Sequence, residues 1–235
     1  MIRKIPGLLA FAFALALPGQ ASAQAALLGP GAAFIAGGVA GTATGPLNDR
    51  LAQNGYPTFD RTSPSFGIGG YRILSSGVML SAELTGLFRG EKKYQNRDVG
   101  SFGGYATLGL GYAIVLSPRV RLYPRVGLGA GGLTLWIENA DDSVDFDDVL
   151  QNPSPSADLR EPLLSRDGGV VDIGAGVEFL GSKRGTGPLV GVRFGYLAAP
   201  FNDSWTSYER KALDGPDASI SGLYVRVVLG GAWRR

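Results

Sequence analysis

The chain has 235 residues, 45% hydrophobic and 18% charged, with a formal net charge of +2 and a mean hydropathy of only +0.10. It contains no cysteine, so a disulfide framework is excluded, and no histidine, so the commonest catalytic base and metal ligand is missing. The near balance of charge offers no footprint for nucleic acid, and the apolar and aromatic content excludes a disordered chain.

The first residues read as an export signal. Arg3 and Lys4 form a positive start, Leu8 to Leu17 is an apolar run, and Ala21-Ser22-Ala23 is a small-residue cleavage site. The apolar run is too short for a spanning helix, which needs about 20 residues. Residues 1–23 are expected to be removed, leaving a single domain over 24–235 with equal numbers of basic and acidic side chains. Nothing after Gln24 approaches the ~18 consecutive apolar residues of a membrane-crossing helix. Together with 37 glycines, this leaves an exported, glycine-rich, all-β protein.

Eight strands are predicted, at Gly31–Gly41, Ser65–Leu74, Val78–Arg89, Phe102–Leu116, Arg119–Ile137, Val170–Leu180, Leu189–Ala198 and Ser219–Trp233. Most alternate apolar with small or polar residues, the period of a strand with two unlike faces, and most reach the 9–11 residues of a tilted transmembrane strand. The first is rich in Ala and Gly, and its glycines argue against a helix there. Short turns at Ser75-Ser76-Gly77, at Ser117-Pro118 and from Gly181 alternate with longer connections over Thr42–Pro64, Gly90–Ser101, Glu138–Gly169 and Pro200–Ala218. A soluble up-and-down barrel has no reason to sort its loops this way. An outer-membrane barrel does, with short periplasmic turns and long outer loops.

The two faces can be read residue by residue. Val78, Leu80, Leu84 and Phe88 oppose Ser81, Glu83, Thr85 and Arg89, while Ile173, Val177 and Phe179 oppose Asp172, Gly174, Gly176 and Glu178. Val190, Val192, Phe194 and Tyr196 oppose Arg193, and Leu223, Val225, Val227 and Leu229 oppose Tyr224 and Arg226. A membrane barrel is inside out, so the apolar set meets lipid. Strand direction then sorts the aromatics into two belts. Phe88, Phe102, Trp136 and Tyr196 form an outer one, and Tyr71, Tyr112, Phe179 and Trp233 a periplasmic one. On the inner face, glycines such as Gly109, Gly127, Gly174, Gly176 and Gly195 make room for Arg121, Tyr123 and Tyr224. Glu83 and Glu178 fall at about the height of Arg72, Arg125, Arg193 and Arg226, which predicts a lumenal Arg/Glu charge network. Pro124, mid-strand on the lipid face, marks an expected bulge.

Between Glu138 and Asp167 lie nine acidic residues, densest at Asp141, Asp142, Asp145, Asp147 and Asp148. Carboxylates so clustered could hold Ca²⁺, but the EF-hand spacing and its glycine are missing, so a solvated loop is the expectation. No catalytic, cofactor or metal constellation stands out.

Alternation, loop asymmetry and paired belts together resemble the small outer-membrane barrels related to OmpX and the membrane domain of OmpA, over residues 24–235. The resemblance implies an eight-stranded antiparallel transmembrane β-barrel of up-and-down topology, in the outer membrane, without the peptidoglycan-binding domain of longer relatives. It also implies outer-membrane lipid, lipopolysaccharide and the barrel-assembly machinery as partners, with Trp233 standing in for the family's terminal aromatic, and a possible surface ligand at the outer loops. A structural or surface-interaction role is the leading expectation. A small channel gated by the charged lumen is the alternative, and a lipid-modifying enzyme is disfavoured without histidine. N-terminal sequencing of the protein from the outer-membrane fraction should read from Gln24; a chain beginning at Met1 would reject the export reading.

Overall fold

The structure, a computed structural model, describes residues 28–94, 97–139, 163–182, 186–207 and 210–233. Eight long strands make the wall: β1 Leu28–Gly41, β2 Thr62–Leu74, β3 Val78–Tyr94, β4 Arg97–Tyr112, β5 Val120–Asn139, β6 Leu163–Leu180, β7 Gly187–Asn202 and β8 Gly222–Trp233. Each pairs antiparallel with its neighbours in the chain, and β8 pairs β1 to close the sheet. Closure is what a bilayer demands of strands, because an open edge would leave backbone groups unsatisfied in hydrocarbon.

Register fixes the barrel's shape. Paired residues lead from Gly31 through Arg72, Leu80, Leu110, Val126, Ile173 and Tyr196 to Leu223, next to Tyr224, which faces Ala40. The circuit thus returns about ten residues along β1, which tilts eight strands about 40° from the axis at ordinary strand spacings. The outward face carries Ile35, Ile68, Leu84, Leu108, Leu128, Ile173, Val192 and Val225, all exposed. The inward face carries the buried set.

One turn and one proline show how the sequence sets the periplasmic half. Gly77 takes φ +86°, a left-handed conformation that an L side chain rarely adopts, and its N–H donates to the Leu74 carbonyl at 2.9 Å. Pro124 does not produce the expected bulge. The β4–β5 pairs end at Gly111 with Arg125, and the pairing resumes in the same register at Ile114 with Leu122, in the short strand Ile114–Ser117. On its other side Pro124 faces Ala175 in an unbroken ladder. Because proline lacks an N–H, it interrupts one ladder briefly and shifts nothing.

The outer end departs furthest from the sequence reading. The Gly90–Ser101 connection is largely a continued β3–β4 ladder, reaching Lys92 with Val99 and Tyr94 with Arg97. β5 and β6 likewise run on to Asn139 and back from Leu163, shortening the acidic loop. Within Thr42–Pro64 a helix, α1, spans Gly45–Gln53. Pro46 starts it, and Leu47 and Leu51, four apart on one face, are its buried residues. Asn48 ties it down by donating to the Phe59 carbonyl at 2.8 Å and accepting from the Phe59 N–H at 2.9 Å. The short strands Thr206–Ser207 and Arg210–Lys211 extend the wall beside β6. Among the described residues no helix is long and apolar enough to cross a membrane. The carboxylates of the acidic loop, Asp141, Asp142, Asp145, Asp147 and Asp148, and residues 1–23, expected to serve export, lie outside the described residues.

The facing assignment predicts an asymmetry in stability. Leu84→Arg, on the outward face, should cost about 2–4 kcal/mol if it lies near the bilayer midplane. Thr58→Arg, at an exposed loop position, should cost close to nothing. Urea unfolding in bilayers of matched composition measures both.

Candidate functional site in the barrel lumen

At mid-height the inward side chains of β3, β5, β6, β7 and β8 converge on one ionic cluster. Glu83 is its hub. Its Oε2 accepts from Arg125 Nη1 at 2.7 Å and from Arg193 Nη1 at 3.1 Å, and its Oε1 accepts from Arg226 Nη1 at 2.5 Å. Thr85 Oγ1 also donates to Oε1, at 3.3 Å. Arg125 Nη2 reaches the second carboxylate, Asp172 Oδ2, and Tyr224 donates to Asp172 Oδ1 at 2.7 Å. Glu178, the third, accepts from Tyr71 at 2.6 Å, Tyr123 at 2.8 Å and Arg193 Nη2 at 3.3 Å. The paired side chains of Glu83, Asp172, Glu178, Arg125, Arg193 and Arg226 are at most 3% exposed.

The charges need this arrangement. Arg193 and Arg226 sit directly opposite each other across the β7–β8 ladder, where like charges repel. Glu83 bridges them, taking one on each oxygen. Arg226 also donates to Tyr105 Oη and lies 4.4 Å from the Tyr224 ring centre, while Arg193 lies 3.9 Å from that of Phe34. Guanidinium faces stacked on rings leave their edges free for carboxylates. Glycine supplies the room. Gly176 lies beneath the Tyr123 ring, and Gly174 and Gly195 beneath the Tyr224 hydroxyl, at separations no Cβ could share.

Apolar layers lie above and below. On the outer side, Leu47, Leu51, Phe59, Trp205 and Ile220 from the helix and loops pack onto Leu87, Tyr105, Leu133 and Leu135 of the wall. On the periplasmic side Phe34, Ile73, Met79, Leu180, Leu189 and Val228 form a second cluster.

Of the sequence-predicted network, the structure brings together Glu83, Arg125, Glu178, Arg193 and Arg226, and it does not bring in Arg72. Arg72 shares the outward parity of β2 and sits 5.5 Å from the Trp233 ring centre at the periplasmic rim. Tyr71, expected in the periplasmic belt, points inward, is 4% exposed and holds Glu178. These are one correction: Phe66 and Ile68 face out, so even positions of β2 face out and odd ones in. An aromatic and a charge suggest the opposite facing at these two positions, but strand parity decides it. The structure adds Asp172, which the sequence puts on the polar face but outside the network, and Tyr105, which the sequence does not single out; both sit at buried inward positions by the same alternation. Phe88, Phe102 and Tyr196 face outward toward the outer end, Tyr112, Phe179 and Trp233 toward the periplasmic end, and Trp136 lies half-buried over Gly100.

A closed eight-stranded wall, apolar outside and ionic within, is a membrane-spanning barrel. The chain belongs to the outer membrane protein beta-barrel domain family, whose profile matches residues 9–225, and its place is the outer membrane. Among solved structures it is similar to Ail, the attachment invasion locus protein of Yersinia pestis, in complex with the heparin analogue sucrose octasulfate. That match has 13% identity, covers 88% of this chain and 97% of that one, and has a TM-score of 0.45. Neisserial surface protein A is similar at 8% identity, with 86% and 94% covered and a TM-score of 0.41. No curated protein sequence matches.

The geometry separates two neighbouring residues. Tyr71→Phe leaves Glu178 one donor short in a buried site and should lower barrel stability by about 1–3 kcal/mol. Arg72→Gln, at the rim, should change it far less. Heat-modifiability on gels, read as the temperature at which the compact band is lost, compares them.

Proposed function

We propose that this is a non-enzymatic outer-membrane barrel with a structural or surface-interaction role, its lumen plugged by the Glu83-centred network. The observation that carries the reading is that Glu83, Asp172 and Glu178, the carboxylates of the network among the described residues, are bound by guanidinium and phenol groups at near-zero exposure. A carboxylate held this way is no general base, and an eight-stranded lumen is just wide enough for its own side chains. With no histidine in the chain, a lipid-modifying enzyme has the least support. Under this reading residues 1–23 serve export and Trp233 is read by the assembly machinery. Outer-membrane lipid and lipopolysaccharide surround the wall, and the outer loops are where a surface ligand would bind.

Planar-bilayer recording tests the plug. The parent protein should show negligible conductance. Glu83→Ala leaves Arg226 without a carboxylate and removes one of two from Arg125 and from Arg193, and should cost about 3–5 kcal/mol, less if water enters. Small, charge-sensitive openings in the parent that become frequent in Glu83→Ala would instead indicate a gate. A steady large conductance in the parent would overturn the plug.

A further inference from the structure

The barrel wall has a notch at its outer end. The β2–β3 ladder stops at Ser65 with Leu87. Beyond it β2 continues to Thr62 against β1, and β3 continues to Tyr94 against β4, so the two strands no longer pair with each other. Two local features separate them. Pro64 has no N–H to give, and the β3 register shifts between Arg89 and Lys92, a bulge that bends the strand.

Arg89 spans the notch. Its Nε donates to Ser63 Oγ at 3.0 Å, and its guanidinium lies 5.7 Å from the Phe59 ring centre. Both Nη atoms are buried and neither has a hydrogen-bond partner among the described residues. Beside them is a cavity of about 70 Å³ whose lining includes Phe59, Thr62, Pro64, Phe88, Arg89 and Lys92, and also Asp60. Lys92 is held over it by the Thr58 carbonyl at 2.8 Å, with Asp60, a mostly exposed carboxylate, 3.8 Å away. Four N–H donors without an acceptor are unfavourable where water is excluded. A forked guanidinium beside an ammonium is the donor set for a phosphate. Thr62, Pro64 and Phe88 are exposed at outward positions, while Ser63 and Arg89 hold inward ones, so the cavity passes through the notch and reaches the outward side of the wall.

We propose that this notch is an anion site that takes a phosphate group, most directly that of an outer-leaflet lipid headgroup, with Arg89 as the principal ligand and Lys92 as the second. The site rests on the barrel spanning the outer membrane and is independent of whether the lumen is closed. Asp60 competes for the same cations, which sets the sign of its removal.

The test uses the whole exported chain, refolded into phosphate-free maltoside micelles, with the unfolding midpoint followed against added probe. Phosphorylated lipid A should raise the parent's midpoint saturably, and lipid A stripped of phosphate should not. Arg89→Gln should need roughly tenfold more lipid or beyond for the same rise, the loss expected of a charge-assisted pair. Because Arg89→Gln also loses the Nε bond to Ser63 and the contact with Phe59, each protein's rise is measured from its own midpoint without probe. Asp60→Asn should respond at lower lipid concentration than the parent. A rise with inorganic phosphate at the same concentration as with the lipid supports the site and assigns its anion to solution. An equal response to phosphorylated and stripped lipid, an Arg89→Gln response matching the parent's, or no response of the parent to either probe overturns the proposal.

Discussion

Every strand of this wall must find a hydrogen-bonding neighbour on both sides, because hydrocarbon offers none. That single constraint forces β8 back onto β1. Closure in turn gives each residue one of two environments, lipid or lumen, with no third choice across the bilayer. The apolar outer surface and the ionic interior are two consequences of the same ladder.

Inside, the chain confronts a cost that an apolar core would avoid. Buried ions are expensive, and their mutual attraction offsets the desolvation only when lone pairs and protons are all engaged. The cluster approaches that condition by sharing. Glu83 is divided among three arginines, Tyr123 donates to Glu178 while accepting from Arg193 Nε at 2.6 Å, and Tyr224 completes Asp172. Tyrosine suits this role because it brings bulk and one hydroxyl, and the inward glycines are what leave space for its ring. Such a network specifies which strands may be neighbours: a one-residue slip would send Glu83 and Arg226 to lipid.

The outer end obeys different rules, since water is available there. Strands outrun the membrane, β2 and β3 part, and a helix can lie across the mouth because α1's polar face meets solvent while Leu47 and Leu51 meet Phe59 and the wall. Polar fixings hold these pieces. Arg166 donates to the Asp203 carbonyl at 2.9 Å and to Asp217 at 2.7 Å, and the Trp205 indole donates to the Pro216 carbonyl at 2.7 Å. Where loops supply the packing, chemistry can vary without disturbing the ladder below, and the notch at Arg89 is one product of that freedom.

The sequence by itself determined the strand count, the alternation and most of the facing. Period 2 is written in neighbouring residues: Leu80, Leu84 and Phe88 against Glu83 and Thr85 need no tertiary information. It also placed Arg125, Arg193 and Arg226 inside with Glu83 and Glu178. It misplaced Tyr71 and Arg72, where an aromatic and a charge suggested the opposite of what Phe66 and Ile68 required. What only the tertiary structure decided was partnership. Parity says that Asp172 and Arg125 face inward, but their meeting depends on the stagger of about ten residues that sets relative height around the wall. Glu178 and Tyr71 are 107 residues apart. α1 was hidden for a related reason: nine residues are marginal as an isolated helix, and the barrel mouth beneath Leu47 and Leu51 supplies the contact that holds it. Alternation is a local property of a chain, whereas depth, register and cross-lumen contact exist only once the sheet has closed.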